Sequence, residues 1–218
     1  MNDQPTLLVA TRSAHKLEEI RAILGDCGAR VLSLDDAGVA PDPAEDAIEA
    51  YDTFAANALA KATWFCARTG LATVADDSGI VVPALGGQPG VLSRRYAETL
   101  GVAPVESERD ATNTRLLLEQ AARLDGADRR AWYACVAALA LPGGETGRVR
   151  ATRIFVGTCE GELGRVPVGA GGFGYDPIFR VPELDATFAQ VDADVKHRLS
   201  HRARAFRALA SALPAALR

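Results

Sequence analysis

The chain is poor in lysine. Of its 24 basic residues only three are lysines, Lys16, Lys61 and Lys196, and the rest are arginine. It also has no surplus of positive charge. A net charge of −4 at pH 7 excludes the electrostatic footprint of a non-specific nucleic-acid binder. No apolar run approaches the roughly 20 residues of a membrane span. The opening Met1-Asn2-Asp3-Gln4-Pro5 has neither the basic nor the apolar region of a secretory leader, so none is expected. Cysteines are few and scattered: Cys27, Cys66, Cys135 and Cys159 form no C-x-x-C pair. That argues for reduced thiols in a cytoplasmic protein, and against a structural zinc or a disulfide frame. Internal repeats, low-complexity tracts and interdomain linkers are absent as well. The expectation is therefore one α/β domain over residues 1–218, long enough to carry two lobes.

The remaining composition is that of a soluble globular protein, 48% hydrophobic and 24% charged. A genome rich in G and C explains a general drift from lysine to arginine, but not which lysines remain. An ammonium is a compact point charge suited to phosphate, and a planar guanidinium cannot replace it at a tight site. The three lysines are therefore candidate ligand-binding residues.

Thr6 to Thr11 is a continuous apolar run, as expected of a buried first strand. Ser13 then suits a helix N-cap, with Leu17, Ile20 and Leu24 at helical spacing behind it. Ala29 to Leu34 reads as a second strand. A strand, tight turn and helix start can hold an anion on free backbone N–H groups, with Thr11, Ser13 and Lys16 at hand. The turn has none of the glycines of a P-loop or a dinucleotide fingerprint, so neither applies. Pro41 to Asp52 is acidic and reads as a solvated connection. Thr53 caps a helix to about Thr69, closed by Gly70, with Phe54, Ala58, Ala62 and Phe65 inward. Asn57 and Lys61 fall four apart on an adjoining stripe, so both can face one ligand.

Ala75-Asp76-Asp77-Ser78-Gly79 lies between two apolar runs. Neighbouring strand residues point to opposite faces, so the two carboxylates cannot share the core. The expectation is that at least one lies at a strand's end and that Ser78-Gly79 turns the backbone away. Taken alone, the stretch reads first as a polar turn and second as a site for a divalent metal beside a general base.

Beyond it, Gly86 to Gly90 is a glycine-rich loop, and Asp110 to Leu124 reads as a helix. Ala131 to Leu141 and Val149 to Cys159 read as strands joined at Pro142-Gly143-Gly144, a hairpin signal that makes the sheet mixed, although both are long for strands and the alanine-rich Ala131 to Ala140 also suits a helix. Gly171-Gly172-Phe173-Gly174-Tyr175-Asp176 lets backbone approach a ligand and offers aromatic faces. Lys196 to Leu213 reads as a C-terminal helix whose start is basic, including His201 and Arg202. A helix dipole disfavours cations at that end, a conflict that a bound anion would remove.

With these segments in register, the chain resembles the inosine triphosphate pyrophosphatases, from Thr6 to about Leu209. The family's opening T-x-N-x-x-K stands here as Thr11-Arg12-Ser13-Ala14-His15-Lys16, with serine in place of asparagine. T-F-x-x-N-A-x-x-K-A is complete from Thr53 to Ala62, A-D-D-S-G from Ala75 to Gly79, and L-G-G-x-P-G from Leu85 to Gly90. Gly171 to Pro177 and Lys196 to Arg202 complete the set, and all three lysines fall inside it. Before Thr53 the family has two adjacent glutamates and a glycine, where this chain has Ile48-Glu49-Ala50-Tyr51.

The resemblance implies an α/β fold with a long, twisted mixed β-sheet flanked by helices, two lobes with a central active-site cleft, and a homodimer. It implies Mg²⁺-dependent hydrolysis of non-standard purine nucleoside triphosphates (those of inosine, deoxyinosine and xanthosine) to monophosphate and pyrophosphate. Asp77 would be metal ligand and general base, Asp76 its support, and Glu49 the second metal ligand. Lys16, Asn57, Lys61 and Ser78 would hold the phosphates, alongside Thr11, Arg12, Ser13, Ala14 and His15. Phe173, Gly174, Tyr175 and Asp176 would hold the base and sugar, with Lys196, His201 and Arg202. The alternatives are a pyrophosphatase for other modified nucleotides, or a nucleotide-binding sensor that has lost catalysis.

Overall fold

The structure is a computed structural model that describes residues 4–25, 27–144 and 147–217. Its strands form one seven-stranded mixed sheet in the order β2-β1-β3-β4-β5-β6-β7. The chain divides into two compact units, and β3, β4 and β5 contribute residues to both.

The first unit comprises the residues up to Asp77, Cys135–Gly157 and the residues from Arg202 on. Its first strand, β1 (Thr6–Val9), runs parallel to β2 (Arg30–Ser33) and to β3 (Ala72–Val81), with Leu7 opposite Val31 and Ala72. Side chains alternate across this part of the sheet. Leu7 and Val9, with Cys135, Ala137, Leu139 and Leu141 of β4 (Arg130–Pro142), pack with Ile20 and Leu24 of α1 (Ala14–Leu24). Phe206, Leu209 and Leu213 of α6 (His201–Ala216) join the same cluster. Leu8, Val136, Ala138 and Ala140 point the other way, onto Ala58, Ala62 and Phe65 of α2 (Phe54–Thr69). Strands covered by helices on both faces must be apolar at every position, which is why β1 and β4 read as unbroken hydrophobic runs.

The helix ends follow local chemistry. Ser13 accepts from the Lys16 N–H at 3.4 Å, and Thr53 accepts from the Ala56 N–H at 3.2 Å, each satisfying an orphan donor of its helix. Gly70 closes α2 in the left-handed region at φ 68°, where its N–H reaches the Cys66 carbonyl. The acidic connection before α2 is not wholly irregular. Pro43–Ala47 forms a 3₁₀ turn with an Asp42/Glu45 capping box.

The second unit comprises Ser78–Ala134 and Thr158–His201. It contains α3 (Tyr96–Thr99), α4 (Arg109–Gln120), β6 (Phe179–Val181), β7 (Ala186–Thr187) and α5 (Ala193–Leu199), with the end of β5 (Val149–Leu163). β5 pairs antiparallel with β6, and β6 with β7. Its core joins Ile80, Tyr96, Leu117, Tyr133, Phe179 and Phe188.

Two expectations are corrected. Asp76-Asp77-Ser78-Gly79 is not a turn, nor does either aspartate end a strand. β3 runs straight through all four and both carboxylates are buried, because cations and an amide satisfy them in place. Gly79 has no room for a side chain, since a Cβ there would overlap the Ser93 hydroxyl and the Gly90 carbonyl. The C-terminal helix is not continuous either. Ser200 takes an extended conformation (φ −64°, ψ 156°) between α5 and α6. Lys196, His197 and Arg198 therefore occupy the last turn of α5, where the dipole favours cations, and the expected conflict does not arise at them.

Candidate functional site

In the first unit, Asp76 is fully buried and surrounded by cations. Lys16, in the first turn of α1, places its ammonium 3.2 Å from Asp76 Oδ2. Arg202, near the start of α6, donates to the same oxygen from Nε and Nη2 at 3.4 Å, and its Nη1 pairs with Glu19 of α1. Burial alone would raise the proton affinity of Asp76. Lys16, Arg202 and Lys61 outweigh it and hold the carboxyl well below the usual carboxylate range.

Asp77 faces the opposite side of β3 and behaves in the opposite way. Its Oδ2 accepts from Asn57 Nδ2 at 2.9 Å. Burial raises its proton affinity, and Lys16, Lys61 and Asn57 do not cancel the effect. The Asn57 amide also clamps the loop before α2, accepting from the Tyr51 N–H at 2.9 Å and donating to the Tyr51 carbonyl at 3.1 Å. That loop carries Glu49, whose carboxylate pairs with Lys61 one helical turn beyond Asn57. Burial opposes ionisation of Glu49, but Lys61 prevails and lowers its affinity for a proton. The Lys61 ammonium is held charged, because Glu49 and Asp76 overcome the cost of its burial.

The remaining residues of the first motif are placed less centrally. Thr11 Oγ1 accepts from the Ser13 N–H at 3.2 Å, and Ala14 and His15 are exposed on α1. Arg12 spans both oxygens of Glu45 at 2.7 and 3.0 Å and reaches the Val39 carbonyl at 3.0 Å, so it braces the acidic connection.

The second unit holds a separate group. Asp176 is buried and accepts from the Lys196 ammonium at 2.5 Å, the Phe173 N–H at 2.9 Å and the Tyr133 hydroxyl at 3.3 Å. The Lys196 ammonium lies over the Phe173 ring, 4.6 Å from its centroid, a cation–π arrangement. His201 stacks on Tyr133 with centroids 4.5 Å apart and planes within 7°. Gly174 is held at both polar groups by α4. Its N–H donates to Asp110 at 2.7 Å, and its carbonyl accepts from Thr114 at 3.1 Å. Gly172, at φ 71°, leaves space that a Cβ would take from the Asp176 carboxylate. The Tyr175 hydroxyl donates to the Ser93 carbonyl at 2.7 Å, and Ser78 is half-buried at the unit's first position.

Sequence reasoning grouped Arg202 with Lys196 and His201. In the structure its guanidinium goes to Asp76 and Glu19, while Lys196 and His201 belong to the second unit. Glu19 and Tyr133 were missed. Glu19 shares a helix face with Lys16 three residues earlier, and Tyr133 puts a hydroxyl into an apolar strand where it must find a partner. Both signals were available.

Chemically, the first group offers adjacent carboxylates of opposite proton affinity beside two ammonium ions, a setting for polyphosphate and an activated water. The second offers an aromatic face, a buried cation and glycine backbone, a setting for a flat heteroaromatic ring. Among the described residues, no group of three or more His, Cys, Asp and Glu is arranged to hold a metal ion alone. No helix among them is long and apolar enough to cross a membrane.

The chain is similar to known proteins over nearly its whole length. A model of the Ham1 family matches residues 7–212. The dITP/XTP pyrophosphatase of Nocardia farcinica is 44% identical over 212 residues, covering 96% of this chain and 95% of that protein. That of Streptomyces coelicolor is 44% identical over 204 residues, covering 93% and 94%. Among solved structures, a HAM1 protein from Coxiella burnetii superposes with a TM-score of 0.79 at 35% identity, covering 97% of this chain and 99% of that one. The Ham1 protein of Staphylococcus aureus gives 0.75 at 33% identity, with the same coverage.

Proposed function

The chain belongs to the Ham1 family, and on that premise we propose that it hydrolyses non-standard purine nucleoside triphosphates to the monophosphate and pyrophosphate. The substrates are those of inosine, deoxyinosine and xanthosine. One observation carries the reading: adjacent buried carboxylates, Asp76 paired with Lys16 and Arg202 and Asp77 held by the Asn57 amide, an arrangement that pushes their proton affinities in opposite directions. Pairs pushed apart in this way mark acid–base assignments.

Asp77, the carboxylate that holds a proton more readily, is the general base that takes the proton from water. Asp76 stays ionised and anchors Lys16 and Arg202 on one oxygen. Lys16 and Lys61 bind the phosphates as point charges, and Ser78 and the Thr11–Lys16 turn are further phosphate-binding groups in this reading. Asn57 orients the base through its bond to Asp77. Glu49 and Asp77 are the residues that would hold Mg²⁺. Their donor set fits it: both offer hard carboxylate oxygens, and Asn57 ties Asp77 to the loop that carries Glu49. Magnesium takes one or two carboxylates when substrate phosphates complete its shell, and when bound there it would neutralise phosphate charge. Phe173 to Asp176, Lys196 and His201 hold the base and sugar, Phe173 by stacking and Lys196 by donation to a keto oxygen. Inosine and xanthosine carry that acceptor at C6, where adenosine carries an amino donor. The unbridged Cys27, Cys66 and Cys135 support a reducing, cytoplasmic setting, and the resemblance to the pyrophosphatases supports a homodimer.

The test is a panel of triphosphates of inosine, deoxyinosine, xanthosine, adenosine and guanosine with Mg²⁺, with products identified and light scattering on the same sample. Monophosphate and pyrophosphate from the first three, at far higher kcat/KM than from ATP, is the expected outcome. Equal efficiency on ATP would reduce the enzyme to a general nucleotide pyrophosphatase. Binding without any release would make it a sensor.

A further inference from the structure

Tyr133 takes part in two of the contacts that organise the second group, and nothing in the motifs assigns it a role. It stands on β4 with its side chain in the core of the second unit. For packing alone a phenylalanine would suffice there, because a buried hydroxyl costs free energy unless it is bonded. This hydroxyl is bonded, and to the Asp176 carboxylate, which also receives the Lys196 ammonium and the Phe173 N–H. The other oxygen of Asp176 serves those two donors, so with Tyr133 the carboxylate is held at both oxygens. The Lys196 ammonium is in turn set over the Phe173 ring. At its face, the Tyr133 ring lies nearly parallel to the His201 imidazole, and Phe179 backs it at 4.6 Å.

We propose that Tyr133 is a positioning residue for recognition of the substrate's base. Its hydroxyl holds Asp176, Lys196 and the Phe173 backbone in register, and its ring sets the plane of His201. The inference rests on the reading of Phe173, Asp176, Lys196 and His201 as the base-binding group. It goes beyond that reading by dividing the work between two parts of one side chain, which two substitutions separate. Tyr133→Phe removes the hydroxyl and keeps the stack; Tyr133→Leu removes both.

Two measurements on the full chain test this. In the nucleotide-free protein, nitrogen-15 NMR follows the Phe173 amide and the His201 imidazole. Tyr133→Phe should shift the Phe173 amide and leave His201 in place, and Tyr133→Leu should shift both. In kinetics with inosine triphosphate, Tyr133→Phe should raise KM about threefold with kcat within twofold, the pattern of lost uniform binding. The rise is small because a 3.3 Å O–H···O contact is longer than an ordinary hydrogen bond. Tyr133→Leu should raise KM further and narrow the preference for inosine over adenosine triphosphate. An unmoved Phe173 amide or an unchanged KM in Tyr133→Phe would overturn the proposal, and so would a fall in kcat with KM constant. Tyr133→Phe alone decides the matter if the leucine variant does not fold. If the unmodified protein hydrolyses no nucleotide, the functional reading fails by itself, and the NMR comparison still decides whether Tyr133 positions these groups.

Discussion

Replacing either of the adjacent aspartates by asparagine changes the same atoms, yet the consequences should be opposite in kind. Asp76 is buried with Lys16 at 3.2 Å and Arg202 at 3.4 Å, and Arg202 is itself buried. Asp76→Asn leaves Arg202 with Glu19 and removes the counter-charge 3.2 Å from the Lys16 ammonium. Breaking a buried ion pair on one side typically costs about 3–5 kcal/mol. For a chain of this size each kcal/mol is worth about 2–4 °C, so the melting temperature should fall by about 6–20 °C. Asp77→Asn should do nothing of the kind. Its charge is opposed by burial, and an asparagine oxygen can still accept from Asn57 Nδ2. The melting temperature should hold or rise, while loss of the general base lowers kcat about a hundredfold or more.

The pH dependence of stability has opposite signs at the two positions. The folded-state affinity of Asp76 is depressed, so its contribution is complete above the unfolded value of about 4 and is lost as the pH falls further. That of Asp77 is raised, so its contribution is present in acid and lost as the pH rises from about 4 through the folded value. Thermal melts from acid to neutral pH, alongside pyrophosphate release from inosine triphosphate, read both effects. An Asp77→Asn protein destabilised as much as Asp76→Asn, or an Asp76→Asn protein that melts with the parent, would refute the division of roles.

Three further outcomes follow from the same geometry. Lys61→Arg and Lys16→Arg should each cut kcat/KM at least tenfold, a loss of about 1.4 kcal/mol, because a planar fork does not fit where an ammonium meets a carboxylate; unaltered kinetics in both would make the lysines ordinary surface charges. Gly79→Ala should destabilise by about 1–3 kcal/mol in a denaturant titration, because its Cβ meets the Ser93 hydroxyl and the Gly90 carbonyl in a packed strand; an unchanged midpoint would mean that the loop yields freely. Ser13→Asn supplies the amide that the resembling family carries and should lower KM with little change in kcat, since asparagine caps a helix as well as serine does; lost activity would indicate a site rebuilt around serine.

Much of the scaffold was legible because its causes are local. Ser13 and Thr53 announced α1 and α2 through the need of a helix start for a side-chain acceptor, and Gly70 announced the end of α2 through its φ of 68°. The continuous apolar run of β1 reported its burial, whereas the alanine-rich run of β4 suited a helix as well as a strand until its place in the sheet was known. The break at Ser200 was not legible, since Lys196 to Leu213 keeps a helical apolar spacing across it.

The path of β3 through Asp76 and Asp77 could not be read either, and the reason is physical. An Asp-Asp pair flanked by apolar residues is a turn in isolation, because desolvating a carboxylate without a partner costs several kcal/mol, roughly. Whether a partner exists depends on residues far along the chain: Lys16, Asn57 and Arg202. By itself the sequence determined the residue types, their spacing along each element, and the caps that start and stop the helices. Only the tertiary structure decided which carboxylate meets which cation. It thereby gave Asp76 and Asp77, identical side chains one residue apart, opposite affinities for a proton: β3 turns one toward Lys16 and Arg202 and the other toward a neutral amide.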